Sequence, residues 1–113
     1  MKSILVIDDD NAVRRAFALA LEDTPYKVDG AESGEKGIEM EQNNKYSLIF
    51  LDLKMPGING VETLRRIRKT SKDIPVYIVT AFYKSFLMDL KRFGTKDWIL
   101  TFLKNPSAAT ILL

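Results

Sequence analysis

Residues 4–10 read ILVIDDD, four apolar residues followed by three aspartates. The arrangement recurs at residues 48–52, which read LIFLD, and a third apolar run at residues 76–79 reads VYIV and precedes a threonine. Continuous apolar runs of this length, rich in β-branched side chains, are typical of strands that are covered on both faces, as in a parallel sheet. The three runs therefore predict central strands of an α/β fold.

Amphipathic stretches separate these runs. The first of them has apolar residues at helical spacing that form one face: Val13, Ala16, Phe17, Ala20 and Leu21. Asp10 or Asn11 can cap this helix. A second helix with a thin apolar face is expected from Ser33 to about Asn43. A third is predicted to carry its apolar face on three residues: Val61, Leu64 and Ile67.

The remaining elements complete an alternating pattern. A short edge strand is expected at residues 26–28, a fourth helix over 83–93, a fifth strand at 98–102 and a short or truncated fifth helix over 107–113. Strands alternating with helices predict βαβ units with helices on both faces of the sheet. The chain length favours a flavodoxin-like three-layer sandwich, a five-stranded parallel sheet of order 2-1-3-4-5, in one domain spanning residues 1–113.

The composition restricts the chemistry and the location of the protein. The chain has no cysteine and no histidine, which excludes disulfides, thiolate or imidazole metal ligands and a Ser-His-Asp triad. Its 17 basic and 15 acidic residues give a net charge of +2, too balanced to indicate nucleic acid or a membrane surface. No apolar run approaches the roughly 20 residues of a membrane helix, and no secretory signal pattern is visible, so we expect a cytoplasmic protein.

Polar side chains follow each of the predicted central strands. Residues 8–10 are aspartates, Asp52 ends the second apolar run and Thr80 follows the third. In the predicted fold these positions converge where the strand order reverses. Clustered carboxylates repel each other unless a cation compensates, and oxygen ligands without histidine or cysteine favour Mg²⁺, or Mn²⁺, over zinc and copper. The pattern indicates a hard-cation site that handles phosphate.

The chain resembles the receiver domain of two-component response regulators over residues 2 to about 94. Three segments carry the resemblance: ILVIDDD (4–10), LIFLDLKMPGINGVE (48–62) and PVYIVTA (75–81). Asp52 follows Asp9 by 43 positions and precedes Thr80 by 28 positions, and both spacings agree with the family. Because three separate strand ends match in residue type and spacing together, the motif set is specific.

The resemblance implies a role for each motif residue. Asp52 is expected to be the phosphoacceptor, whose carboxylate takes a phosphoryl group from a phosphohistidine. Asp8, Asp9 and Asp52 are expected to bind Mg²⁺ together with the backbone carbonyl of Lys54, and Thr80 to hydrogen-bond a phosphoryl oxygen. Such a domain is a phosphorylation switch that relays a signal by a change of surface. Its only catalysis is its own phosphorylation and dephosphorylation, not turnover of a metabolite.

The end of the predicted fifth strand departs from the family pattern of a lysine followed by proline. Counting from Gly94 places Trp98 at the aromatic position of the strand and residues 101–102, Thr-Phe, where Lys-Pro is expected. Counting from the lysine instead selects Lys104, with an asparagine inserted before Pro106. Both alignments stay open, and Lys104 is the candidate cation for the phosphoryl group.

The resemblance also implies partners. The phosphoryl donor is expected to be a histidine kinase or a histidine phosphotransfer protein, and the signal is expected to pass to a downstream output protein or domain. An apolar band on the predicted helix 83–93 suggests self-association. The basic residues at 65–69 are interpreted as a solvated helix face, so no direct contact with nucleic acid is expected. Because the fifth strand is irregular, the alternative is a degenerate receiver that acts as a phosphorylation-independent protein-interaction module.

Overall fold

The computed structural model describes residues 2–52, 55 and 57–79. These residues form four strands and three helices in alternation: β1 Ser3–Ile7, α1 Asn11–Ala20, β2 Lys27–Ala31, α2 Gly34–Asn43, β3 Leu48–Asp52, α3 Gly60–Thr70 and β4 Val76–Val79. The elements predicted over residues 83–93, 98–102 and 107–113 lie outside the described residues.

The four strands form one parallel sheet of order β2-β1-β3-β4. This is the order predicted for the first four strands of the flavodoxin-like sandwich. In the described part of the sheet β1 and β3 are the interior strands, each paired on both sides, which explains why their sequences are apolar at consecutive positions.

The two faces of the sheet are covered by different helices. Alternate strand residues pack with α1 on one face: Ile4, Val6, Leu48, Phe50 and Tyr77 contact Val13, Phe17 and Leu21. The intervening strand residues form the second core: Leu5, Ile7, Ile49, Leu51, Val76 and Ile78 lie with Ile67 of α3 and, at its margin, Ile38 and Met40 of α2. This alternation follows from the two-residue period of a strand and produces the three layers.

Helix α1 begins and packs largely as its sequence predicts. Asp10 is the N-cap, and its carboxylate accepts a 2.9 Å hydrogen bond from the amide of Ala12. Phe17, which is buried, lies with its ring centroid 4.6 Å from that of Phe50 on β3. The cap therefore fixes where the helix starts, and the aromatic contact fixes which face it turns to the sheet.

The predicted apolar face of α3 is wrong at Val61. Val61 was predicted to face the core but is 51% exposed, whereas Gly60, Thr63 and Ile67 are the buried positions of the helix. The reason is a close approach to α2, where a Cβ atom at Gly34 would lie 2.8 Å from Cγ1 of Ile58 and overlap the Thr63 hydroxyl. Small residues at this contact, which hydrophobic periodicity ignores, decide the rotation of α3.

The edge strand β2 is longer than the predicted 26–28. It spans Lys27–Ala31 because each of its residues pairs with β1, even where the sequence offers Asp29 and Gly30, which favour strands poorly. Polar residues are common on edge strands, which they protect from pairing with other chains. Of the helices in the described ranges, none has the length and apolar character that crossing a membrane would require.

Candidate functional site

The strand register brings two aspartates to the same edge of the sheet. Ile7 of β1 pairs with Leu51 of β3, so Asp8 and Asp52, the next residues along the chain, lie side by side just beyond the last pair between these two strands. Asp8 is 1% exposed and Asp52 is 3% exposed. Two acidic residues therefore lie buried at the carboxyl ends of adjacent parallel strands, where ligands of such sheets bind.

Asp9 joins these two residues in an acidic trio, Asp8, Asp9 and Asp52. One carboxylate oxygen from each of the three lies within 4.8 Å of the others, and Asp9 is exposed to solvent while its two neighbours are buried. Like charges at such distances repel, and burial weakens the screening by water. The donor set consists only of carboxylate oxygens, which is the set that hard divalent cations such as Mg²⁺ and Mn²⁺ prefer. The residues present therefore fit a hard divalent cation.

The loop that carries Asp8 and Asp9 is held by hydrogen bonds on several sides. The amide of Asp8 donates to the carbonyl of Ala31 on β2 at 3.0 Å, and the amide of Asp10 donates to Oδ1 of Asp8 at 2.9 Å. The guanidinium of Arg14 donates to the backbone carbonyl of Asp8 at 2.5 Å. Sequence reasoning missed Arg14; the only signal was an arginine four residues after the cap, one turn into the helix.

The segment after Asp52 connects β3 to α3. Met55 is buried, and Gly57 has a φ of +80°, a conformation that glycine adopts readily and other residues rarely do. Asn59 then caps α3 by accepting a 3.0 Å hydrogen bond from the amide of Glu62. Residues 57–59 thus lead directly into α3.

The predicted site residues divide into two sets. The structure brings Asp8, Asp9 and Asp52 together, as the strand assignment predicts. Lys54, Thr80 and Lys104 lie outside the described residues, and their roles stay predictions.

Comparison with known proteins gives the family. Residues 4–104 match the response regulator receiver domain, which covers most of the chain and all three residues of the acidic trio. The chain therefore belongs to the response regulator receiver family.

Curated relatives include two transcriptional regulatory proteins. AfsQ1 of Streptomyces coelicolor is 42% identical over 81 residues, which is 72% of this chain and 36% of that protein. ResD of Bacillus subtilis is 42% identical over 78 residues, which is 69% of this chain and 32% of that protein. The chain thus spans about a third of the length of these relatives.

Solved structures with the same fold include the response regulator protein TrrA from Thermotoga maritima. In its complex with Mg(2+)-BeF it is 33% identical to this chain, with a TM-score of 0.72, and the match covers 92% of this chain and 97% of that one. TrrA in complex with the histidine kinase ThkA matches with 35% identity and a TM-score of 0.67, covering 77% of this chain and 80% of that one. The CheY-like receiver fold is therefore shared.

Proposed function

We propose that this chain is a Mg²⁺-dependent phosphorylation switch in which Asp52 accepts a phosphoryl group from a phosphohistidine. The observation that carries the proposal is the acidic trio, in which Asp52 ends β3 beside Asp8 and Asp9. The family match to residues 4–104 supports treating residues 1–113 as one receiver domain. A cytoplasmic location, expected from the sequence, belongs to the same proposal.

Asp52 is the carboxylate best placed to act as nucleophile. It is the last residue of a strand whose every residue is buried, so the sheet fixes its backbone and its side chain alone reaches the edge. In the proposed reaction one carboxylate oxygen of Asp52 forms a bond to phosphorus while the P–N bond of the phosphohistidine breaks. The imidazole leaves neutral, with its proton on the other ring nitrogen, and the product is an aspartyl phosphate.

Asp8, Asp9 and Asp52 would hold the cation together with the backbone carbonyl of Lys54. When bound, Mg²⁺ neutralises the charge that gathers between the nucleophile and the phosphoryl oxygens. Asp8 and Asp9 reach this position from one short loop, and their charges would otherwise oppose the approach of a phosphate dianion to Asp52. The related protein TrrA was solved in complex with Mg(2+)-BeF, which supports Mg²⁺ as the cation for this chain.

Thr80 and Lys104 are proposed to contact the phosphoryl group. The hydroxyl of Thr80 would donate to one phosphoryl oxygen, and the ammonium group of Lys104 would offset the charge of another. The family match extends to residue 104, so this lysine lies within the matched segment.

The partners of the switch follow from the same resemblance. The complex of TrrA with the histidine kinase ThkA supports a histidine kinase, or a histidine phosphotransfer protein, as donor for this chain. Relatives named transcriptional regulatory proteins are about three times as long as the matched segment, which supports relay to an output protein or domain. Self-association through the predicted helix 83–93 remains a prediction of the sequence.

The test is the intact mass after incubation with a small phosphoramidate or acyl phosphate donor, with and without Mg²⁺. The wild type is expected to gain one phosphoryl group only with Mg²⁺ and to lose it in hydroxylamine, which cleaves acyl phosphates. Asp52→Asn is expected to gain none. Asp10→Asn is the matched control, because it removes a neighbouring exposed carboxylate outside the trio and asparagine caps a helix as well as aspartate does.

A failure to gain mass in a folded protein that binds Mg²⁺ would contradict the proposal and favour the phosphorylation-independent interaction module. Equal phosphorylation of Asp52→Asn would place the acceptor elsewhere. In either case the family membership and the fold would be unaffected.

A further inference from the structure

Arg14 lies on the first turn of α1, close to the acidic trio but outside it. Its guanidinium donates a 2.5 Å hydrogen bond through Nη1 to the backbone carbonyl of Asp8 and a 3.3 Å hydrogen bond through Nη2 to Oδ1 of Asn11. The first bond is partly buried. An arginine is thus attached to the peptide unit that links Asp8 to Asp9.

The stem of Arg14 is held by the neighbouring strand. A Cβ atom at Gly30 of β2 would lie 3.0 Å from Cδ of Arg14 and 3.7 Å from its Cβ and Cγ. The absence of a side chain at this position gives the Arg14 stem room to lie across β2, and a Cβ there would crowd it. One arginine therefore joins β2, the end of β1 and the first turn of α1.

We propose that Arg14 is a positioning residue for the divalent cation, because it fixes the Asp8–Asp9 peptide from which two of the three carboxylates project. This inference rests on the proposed function, since it concerns the cation of that same site. Two carboxylates on one short loop can bind the same cation only if the loop backbone is correctly oriented. Arg14 fixes that orientation through its hydrogen bond to the Asp8 carbonyl. Groups that orient metal ligands without touching the metal typically change affinity about 10- to 100-fold when removed.

The sign of the effect separates positioning from simple charge. Arg14 is positive and lies beside three carboxylates, so by Coulomb's law its removal alone would tighten the binding of a divalent cation. Loss of positioning would weaken binding instead. The two accounts of Arg14 therefore predict opposite changes for one variant.

The experiment measures Mg²⁺ affinity by titration calorimetry on the full chain. In the absence of Mg²⁺, NMR measures the rate of hydrogen exchange at the backbone amide of Asp10. Arg14→Met is expected to weaken Mg²⁺ binding about tenfold and to speed exchange at Asp10, whose amide is bonded to Asp8. Arg14→Lys keeps a positively charged hydrogen-bond donor and is expected to recover most of the affinity. Thermal unfolding of each variant checks that it is folded.

Two further variants make the test specific. Arg15→Met removes the same charge from the adjacent exposed arginine and is expected to leave affinity at the wild-type value. Gly30→Ala displaces the stem of Arg14 and is expected to weaken binding, with no additional loss when it is combined with Arg14→Met.

The outcomes separate the two proposals. Unchanged or tighter Mg²⁺ binding by Arg14→Met would overturn the positioning role, as would equal weakening by Arg15→Met or an Arg14→Lys variant as weak as Arg14→Met. Absence of Mg²⁺ binding by the wild type would overturn the proposed cation site and this inference with it. If the wild type binds Mg²⁺ and Arg14→Met binds it with the same affinity, only this inference is overturned.

Discussion

Ile7 and Leu51 are direct partners in adjacent parallel strands, and each is followed by an aspartate, Asp8 and Asp52. This single register position explains how residues far apart in sequence form one site. A slip by one residue would turn the apolar side chains of β1 to the wrong faces of the sheet, so the cores that hold the register also hold the acidic trio together. The geometry of the site is therefore a consequence of how the two faces of the sheet are packed.

The acidic trio is expected to destabilise the protein when no cation is bound. Asp9→Asn removes the exposed member of three carboxylates that lie within 4.8 Å, and so relieves repulsion. In EDTA the melting temperature of Asp9→Asn should exceed that of the wild type by about 4 °C, equivalent to roughly 1 kcal/mol in a domain of this size. On addition of Mg²⁺ the wild type should gain stability and the variant should gain little.

Asp10→Asn is the control for general charge effects on melting. Asp10 is adjacent in sequence but outside the trio, and its cap is preserved by asparagine. In EDTA its melting temperature should exceed that of the wild type by less than the melting temperature of Asp9→Asn does. On addition of Mg²⁺ its melting temperature should rise as much as that of the wild type. Equal behaviour of the two variants would attribute the effect to net charge and not to the trio.

The close approach of α2 to α3 is expected to tolerate no side chain at position 34. Gly34→Ala would place a Cβ where the Thr63 hydroxyl and Ile58 lie. Overpacking costs about 1–3 kcal/mol, and alanine offsets up to about 1 kcal/mol of this through its better helix propensity. Urea unfolding should therefore show a net loss of about 1–2 kcal/mol.

Gln42→Ala on the exposed face of the same helix is the control for this contact. It should change the free energy of unfolding by less than about 0.5 kcal/mol, as surface substitutions usually do. A stabilised Gly34→Ala variant would show that the two helices separate readily, and that packing at the Gly34–Thr63 contact does not set the rotation of α3.

Glu41 is a third buried carboxylate among the described residues, after Asp8 and Asp52, and lies outside the acidic trio. It lies on α2, 7% exposed, and accepts hydrogen bonds from the hydroxyl of Thr70 at 3.0 Å and from the hydroxyl of Ser71, at the end of α3. Hydrogen bonds to a charged group contribute about 1.5–3 kcal/mol when the group is buried. Ser71→Ala should therefore lower the free energy of unfolding by about that amount.

Glu41→Gln tests whether Ser71 stabilises the protein through its hydrogen bond to the charged carboxylate of Glu41. A neutral amide loses less than a buried carboxylate when a hydroxyl donor is removed. Ser71→Ala should therefore lower the free energy of unfolding much less in a Glu41→Gln background. A double-mutant cycle from urea unfolding measures this difference. Additive costs would mean that Ser71 stabilises the loop through its own contacts and not through Glu41.

The sequence predicted the central strands and the acidic trio because they depend on local patterns. The runs at residues 4–7 and 48–51 are apolar at every position, and a strand buried on both faces requires that pattern wherever it occurs. The parallel order then places their carboxyl ends together without any knowledge of side-chain contacts.

The details that the sequence did not predict all depend on tertiary contacts. The face of α3 is set by Gly34 against Thr63, and Arg14 reaches the Asp8 carbonyl along a path beside Gly30, where a Cβ would crowd it. Glu41 is buried because two hydroxyls of another helix end meet it. Hydrophobic periodicity depends only on residue type and spacing, so it does not include the tertiary contacts of these glycine and glutamate residues.

Tyr46 gives a prediction about alkaline pH. Its hydroxyl donates a 2.8 Å hydrogen bond to Asp29, which joins the segment before β3 to the edge strand β2. Burial raises the pKa of Tyr46 above its ordinary value of 10.0, and the hydrogen bond and the charge of Asp29 raise it further. The folded state therefore keeps this proton to a higher pH than the unfolded chain, so the stabilisation is fully present below pH 10.0 and is lost as the pH rises through the folded-state pKa. At about pH 9, Tyr46→Phe should be less stable than the wild type by about 1 kcal/mol, the usual contribution of such a bond. At about pH 11 this difference in the free energy of unfolding should narrow, because only the wild type loses stability through Tyr46. Urea unfolding at both pH values measures the gap, and Tyr26→Phe, which leaves Tyr46 intact, should retain the pH dependence of the wild type. A gap between wild type and Tyr46→Phe that stays constant from pH 9 to 11 would contradict the linkage between this proton and the fold.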